Sequence, residues 1–489
     1  MLSRLGPRGL QEALGAGSGL EGAKGRESVV ADTTHPAWVR AADATLPRPV
    51  PNVLEFNAPV HENWNIVHTG MLIPEVHQIY VCADNCLRGV VLTAAEMGLS
   101  HRFSGVTLEE DDLYDNLETA TIEGVSDVID RLPSRPPAVM VFLVCLHHFV
   151  GTDVAYVYRE LERRYPDICF MRCWMDPIMQ KTGITPEQKE RKAMLDPLQA
   201  LPEDRGLVAL VGDDLRLPAD SDLALVLEGA GLTLRQVHDC QTYQDYLGLG
   251  AAQLFLTRSP FGDWGLRRLG RRMGRPTLYL QTSLTYRGID RELARLAQAL
   301  GIPAPDAEDR RLACDAALDA LARELEGVPV AIDYLAVNHP LDLARTLLEH
   351  GIDVRRVYLD AVSPEEGESL DWLRTQAPDL ELWSTIHPTL RQAAARAPEG
   401  PDPAGDGWLA VGPKAAWFCG TSHFVNVIET DGMWGYSAIR GLARLMDRAW
   451  RERKDARALV PRKGLGMPCV CQLPRPGAGI PAPRGGELA

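Results

Sequence analysis

Short β-rich runs alternate with helical stretches along most of this chain, and that alternation limits the fold more than any other feature. Strand-like runs fall at Gln78–Cys82, Val139–Val144, Leu207–Val211, Leu234–His238 and Gln253–Leu256. They continue at Thr277–Leu280, Val328–Leu335, Val354–Leu359, Leu380–Ser384 and Trp408–Val411. Helices fit between them at Asp222–Gly229, Asp290–Leu300, Leu341–His350 and Leu390–Ala397. Strands separated by helices read as parallel α/β layers. An internal echo supports repeated units: Leu227-Glu-Gly-Ala-Gly-Leu-Thr-Leu-Arg-Gln-Val237 resembles Leu348-Glu-His-Gly-Ile-Asp-Val-Arg-Arg-Val357. In each a helix stops at Gly, which tolerates a left-handed cap, and a strand containing Arg follows. The pattern predicts Rossmann-like β-α-β units in domains at 50–203, 204–325 and 326–460, with Asp306–Gly327 as a bridging helix. Residues 1–49 are low in large apolar side chains and 461–489 are rich in Pro and Gly; they are expected to be a disordered extension and a tail.

The 489 residues allow two to four domains. A formal charge of −15 argues against a general nucleic-acid binder. The one basic run, Leu266–Arg275, reads as a solvated helix face. The longest apolar run, Ala138–Leu146, is strand-sized, well short of the ~18–20 residues that cross a bilayer. The N-terminus has no apolar core of a secretory signal, so a cytoplasmic, reducing compartment with free thiols is expected. Ten cysteines are too sparse for a disulfide scaffold. Cys240, Cys314 and Cys419 read as small buried apolar residues. Cys469 and Cys471 form a Cys-x-Cys pair in the tail.

Three other cysteines concentrate the chemistry. Cys82 ends a strand, and Cys86 falls where Leu87–Met97 begins to look helical, so both sulfurs can face one point. A helix N-terminus also favours thiolate. Cys145 follows the apolar strand Ala138–Val144, at the end of a strand where open α/β sheets place ligand sites. Thiolates so placed suit an iron–sulfur cluster or another thiophilic metal. Zinc is chemically allowed on the same set. Of the adjacent His147 and His148 at most one should act, because neighbouring side chains diverge. Cys169 and Cys173 share a strand face about 13 Å apart, too far for one small cluster, and read as core.

These residues resemble the nitrogenase component 1 family, which includes the nitrogenase α and β subunits, their cofactor-assembly relatives and the light-independent protochlorophyllide reductase subunits. The run Cys82-Ala-Asp-Asn-Cys-Leu-Arg-Gly-Val-Val-Leu is similar to the family's first cluster-cysteine segment, and Val144-Cys-Leu-His-His-Phe-Val-Gly-Thr-Asp-Val154 to a later one. His68–Met97 is closer still to component 1 proteins outside nitrogen fixation. The resemblance covers roughly 60–455 and implies three Rossmann-like parallel-sheet domains. It implies a 4Fe–4S cluster on Cys82, Cys86 and Cys145, with His147 or His148, Asp84 or a partner supplying a fourth ligand. Two departures matter. The family's middle cluster cysteine is missing around Ser100–Thr107, leaving Cys86 to take its place. The stretches that would hold the nitrogenase active-site cofactor, Leu254–Ser259 and the one before Trp434-Gly-Tyr436, lack the expected Cys and His, so no FeMo-type cofactor is expected.

The resemblance thus implies an oxidoreductase subunit. It would relay electrons from a separate iron–sulfur ATPase to a small-molecule or cofactor substrate, and would pair with a second component 1-type subunit or with itself. The chain has no Gly-x4-Gly-Lys-Ser/Thr loop, so ATP would be hydrolysed elsewhere. No nucleic-acid or membrane partner is expected. His61, Glu62 and Glu75 are candidate proton donors or acceptors, with Asn57, Asn63, His77, Thr421, Ser422 and His423 nearby in the pattern. An assembly scaffold that reduces no substrate, or a binding domain without metal on the same fold, would fit the missing cofactor ligands equally well.

Overall fold

A computed structural model describes residues 36–50, 66–114, 116–176, 183–387, 390 and 407–456. His61, Glu62, Asn57, Asn63, Cys469 and Cys471 lie outside the described residues, as does nearly all of the expected helix Leu390–Ala397. The first described strand, β1 (Trp38–Arg40), pairs antiparallel with a late strand. The segment around it was expected to be part of a disordered extension, and the structure corrects that for residues 36–49. Trp38 stacks on Trp383 with ring centroids 6.0 Å apart, and Ala41 is fully buried. A few well-placed apolar side chains hold a segment whose overall composition is poor in them.

The other strands form three sheets in chain order. The first holds β2 (Val76–Cys82), β3 (Phe103–Thr107), β4 (Ala138–Val144) and β5 (Cys169–Met175), in the order β3-β2-β4-β5. The second holds β6 (Asp204–Leu210), β7 (Thr233–Gln236), β8 (Ala252–Thr257) and β9 (Thr277–Tyr279), in the order β7-β6-β8-β9. The third holds β10 (Val330–Asp333), β11 (Val354–Tyr358), β12 (Glu381–Trp383), β13 (Leu409–Val411) and β14 (Phe424–Val425), in the order β1-β12-β11-β10-β13-β14. Apart from β1, every pairing is parallel. β2 and β4 are buried along their whole length, as parallel strands covered by helices on both faces must be. The echo motif does what its glycines require: Gly231 and Gly351 take φ of 71° and 77° between helix and strand.

Each sheet winds outward from its first strand in two directions. The strand order therefore reverses between β2 and β4, between β6 and β8, and between β10 and β13. The loops at the carboxyl ends of such strand pairs splay apart and leave a crevice. The sheets also share cores. One buried cluster joins Tyr80 and Phe142 of the first sheet to Leu207 and Phe255 of the second, and another joins Val208 and Leu254 to Ile332 and Val357 of the third. Among the described residues no helix is long and apolar enough to cross a membrane.

Candidate functional site

The first crevice carries the cysteines. β2 and β4 are adjacent, with Val81 opposite Leu143, so Cys82 and Cys145 emerge side by side from neighbouring strand ends. Cys86 stands in the first turn of the helix Asp84–Glu96, one residue beyond the end of β2. Burial pushes the Cys82 thiol up to about 12, and Cys86, Asp84 and Cys145 add like-charge repulsion. The Cys145 thiol is also raised, by burial and then by Asp176 and Cys86, against partial relief from the N–H groups of Leu146 and Cys145. The three thiols therefore lie within electrostatic reach of one another and resist ionising together, a repulsion that bound metal removes. Among the described residues no three His, Cys, Asp or Glu side chains meet closely enough to share one metal ion. The set suits a group that takes one ligand per metal atom better than a lone ion.

The two histidines separate cleanly. His147 is buried; its Nδ1 accepts from the Val144 N–H at 3.2 Å. Its Nε2 lies 3.1 Å from Thr121 Oγ1, whose own proton goes to the Leu117 carbonyl at 2.7 Å, so Nε2 carries the hydrogen. Both ring nitrogens are used and burial holds the ring neutral, with its pKa down to about 4. His147 thus caps its own helix and has no nitrogen left for a metal, which corrects one of the two histidine expectations. His148 differs. Its Nδ1 is 2.5 Å from Asp176 Oδ2, its ring stacks on Trp174 at 4.5 Å, and its side chain is 43% exposed. A carboxylate behind one imidazole nitrogen, with the other directed outward, is the usual support of a ligating histidine. The sequence reading passed over Asp176, although it follows β5 in register with the end of β4.

Glu75 is not brought to this crevice. It sits at the opposite end of the seven-residue β2, roughly 20 Å from Cys82. There its carboxylate accepts from the Tyr243 N–H at 2.7 Å and ties the first sheet to the second. His77 bonds Ser104 at 2.9 Å, and His423 packs on Trp450 with its Nδ1 against the Glu452 carbonyl at 3.1 Å. Both hold structure. Cys173 is fully buried, in keeping with the core reading.

The second crevice was not foreseen as a site. After β6 come Asp213 and Asp214, and after β8 comes Arg258; together with the loop beyond β10 they enclose a cavity of about 320 Å³. The Arg258 backbone N–H donates to Asp213 at 3.0 Å, and its guanidinium donates to the carbonyls of Leu215, at 2.9 Å, and Gly432. Arg191 pairs with Asp214, which also accepts from Thr69 Oγ1 at 2.9 Å. Across the cavity His339 Nε2 meets Glu365 at 3.1 Å, and Tyr279 donates to the same carboxylate at 3.1 Å. The sequence did hold a signal. Gly-Asp-Asp and Arg-Ser-Pro immediately follow two strand candidates, but only the strand order shows that these ends flank a reversal.

This cavity gives stability a pH dependence with a definite sign. Burial raises Asp213 to about 6, Glu366 to about 7 and, reinforced by Asp214, Glu429 to about 8. The folded chain keeps protons there that the unfolded chain releases near pH 4, so each group costs stability as pH rises toward its folded value. Burial opposes charge on His339, but Glu365, Glu366 and Asp342 outweigh it and lift the pKa to about 9; that stability is complete below the ordinary histidine value and is lost as pH rises through about 9. All four act in one direction. Below pH ~6.5 the neutral His77 and His147, both held down to about 4 mainly by burial, act in the other. Thermal melts should therefore show stability declining from pH ~6.5 toward pH 9, where the two histidines no longer oppose the loss. Glu429→Gln should flatten the decline; a wild-type melting temperature still rising between pH 7 and 9 would contradict the assignment.

Residues 107–398, more than half of the chain, match the family described as nitrogenase component 1 type oxidoreductase. The chain belongs to that family. No curated protein matches it. Solved structures do, among them two described as "Nitrogenase Cp1 at pH 6.5" and "Nitrogenase Cp1 at pH 5". The first is similar with a TM-score of 0.60 at 14% identity, over 82% of this chain and 95% of that one. The second has a TM-score of 0.52 at 11% identity, over 84% and 94%. At such identities the likeness is one of fold, and the nitrogenase component 1 architecture of three Rossmann-like parallel-sheet domains is the one seen here.

Proposed function

We propose that the chain is a nitrogenase-like component 1 reductase subunit that takes electrons from a separate iron–sulfur ATPase and spends them on a small molecule in the cavity between the sheets. One observation carries this reading: a single helix, Pro186–Leu195, stands between the two crevices. On one side Lys189 Nζ lies 5.7 Å from the Trp174 ring, which stacks on His148 beside Asp176. On the other, Glu187, Glu190 and Arg191 line the cavity.

Cys82, Cys86 and Cys145 would hold a 4Fe–4S cluster, with His148 the best-supported fourth side chain. When bound, such a cluster supplies one-electron transfer. The rest falls to the protein. Each electron added to a closed-shell organic molecule calls for a proton, and His339, charged near neutral pH and facing the cavity, can hold and release one. The two stretches that correspond to the family's cofactor-holding segments contribute Arg258 and Glu429 to the walls, a set suited to an organic molecule. Phe149, 70% exposed, and Val150 follow His148 and form an apolar surface beside the cysteines where the ATPase or a second subunit would dock.

The test is anaerobic purification with iron and acid-labile sulfide quantified, followed by ATP-dependent oxidation of dithionite in the presence of an iron–sulfur ATPase. Iron, sulfide and ATP-dependent electron flow are expected. Phe149→Glu should keep the iron and lose roughly tenfold or more of the electron flow, as interface anchors do. Bound iron with no electron flow would favour the scaffold, and protein free of iron after reconstitution would leave a binding domain.

A further inference from the structure

The cavity has more acid than its bases can answer. Glu187, Glu190, Asp213, Asp214, Glu365 and Glu429 line it against Arg191, Arg258 and His339. The two arginines are already committed to Asp214 and Asp213 and to backbone carbonyls, and His339 to Glu365. In charge, what remains is carboxyl, although Arg258 Nε and His339 Nδ1 also lack a hydrogen-bond partner. Glu190 is fully buried and neither of its oxygens has a hydrogen-bond partner. A buried carboxyl without a partner costs stability, so the fold keeps it against a gradient.

Glu429 is placed with similar insistence. It begins a run of four residues in left-handed conformation, Glu429, Thr430, Asp431 and Gly432, with φ of 48°, 60°, 54° and 71°. Three of them carry a Cβ, and for such residues this conformation is unfavourable. The surroundings enforce it. The N–H groups of Glu429 and Thr430 donate to the carbonyls of Leu335 and Ala336 at 2.9 and 2.7 Å, and Arg258 holds the Gly432 carbonyl. A side chain on Gly432 would run into the Arg216 carbonyl. Strain that is over-determined in this way collects at functional sites. Here it presents one carboxyl to Asp213, Asp214, Arg191 and Arg258.

We infer that the cavity binds a small organic cation, with Glu190 and Glu429 as its charge partners and the rings of Phe261 and Tyr334 as its walls. The inference rests on the reading of this cavity as the substrate site. An anion would find both arginines neutralised, whereas a cation supplies the charge that the carboxyls lack. Burial first, and then like charge from Asp214, with Glu187 at Glu190 and Asp213 at Glu429, favours the protonated form of both glutamates while the cavity is empty. On binding, O–H is lost at Glu429, the proton goes to solvent, and the carboxylate faces the cation. Both rings already meet a cation of the chain, Arg191 over Phe261 at 5.7 Å and Lys414 over Tyr334 at 4.8 Å, so these walls accept positive charge.

The probe is benzamidinium, compared with benzamide and benzoate of the same shape, in titration calorimetry on the anaerobically purified full chain. Two buffers of different ionisation enthalpy at pH 7.5 report proton release. Benzamidinium should bind about tenfold or more tighter than either neutral or anionic isostere, and release protons. Glu429→Gln should abolish the release and weaken binding by a similar factor, and Glu190→Gln should weaken binding. Benzoate or benzamide binding as tightly, no benzamidinium binding, or binding indifferent to both variants would overturn the inference. The isostere comparison needs no variant to fold. Iron content, measured on the same sample, separates the two readings: loss of the electron-relay reading shows there, and loss of this one only in the titration.

Discussion

Cys145→Ser protein purified without oxygen should be colourless, its iron falling from roughly four per chain to under one and its acid-labile sulfide with it. Cys82→Ser should do the same. Both thiols leave adjacent ends of fully buried strands, so no neighbouring residue can slide in to replace them. Serine keeps the size and removes only the soft donor, and the fold should survive because neither sulfur makes a structural hydrogen bond that the structure records. The adjacent histidines give the sharper contrast. His148→Ala takes a partner from the buried Asp176 but opens a half-exposed site, so it should cost less stability than His147→Ala, yet lower iron occupancy or shift the visible spectrum. His147→Ala should act the opposite way. It strips partners from Val144 and Thr121 in a sealed interior and should cost about 2–4 kcal/mol in urea denaturation, with the spectrum of the folded fraction unchanged. Spectra that change with His147 and not with His148 would reverse the assignment. Iron retained by both serine variants would remove these cysteines from the site altogether.

The contrast between the two histidines also marks where sequence reasoning stops. The strand runs, the helices between them and the ends that carry Cys82 and Cys145 were legible, because hydrophobic period and Gly caps are local signals. The strand that carries Cys169 and Cys173 was legible too, from its alternation alone. Which histidine turns inward depends on Thr121 in one element and Asp176 in another, and no spacing rule reaches that far. β3 and β14 escaped notice: Phe103–Thr107 is half-polar and Phe424–Val425 is only two residues long. β1 escaped because its partner lies more than 300 residues away. Glu75 shows the reverse error. It was a candidate proton donor or acceptor, yet a seven-residue strand separates it from Cys82, and strand ends belong to different faces of a domain. The cavity was missed most completely, since its walls come from 66–69, 187–191, 213–215, 258–261, 334–339 and 429–433, and only the order of strands within each sheet brings these together.

That dispersed origin makes Arg258 the most consequential single side chain in the cavity. Arg258→Ala should destabilise the protein by about 3–5 kcal/mol. One guanidinium crosses from the end of β8 to the Leu215 carbonyl and to Gly432 on the left-handed turn, while the same residue's N–H and charge answer Asp213. Its removal leaves Asp213 buried without its cation and releases the carbonyl that helps hold three unfavourable backbone conformations in place. The cost should fall as pH drops from 8 toward ~6, because Asp213 deprived of its cation takes up a proton there and no longer needs a partner. Arg258→Ala combined with Asp213→Ala should recover part of the loss, a coupling that a double-mutant cycle reads directly. Iron content should not change, because the cysteines stand on another sheet, whereas any ligand of the cavity should be lost with the turn that carries Glu429. A variant within about 1 kcal/mol of wild type at pH 8 would mean that the turn is held without Arg258, and that its strain is not fastened from the second sheet.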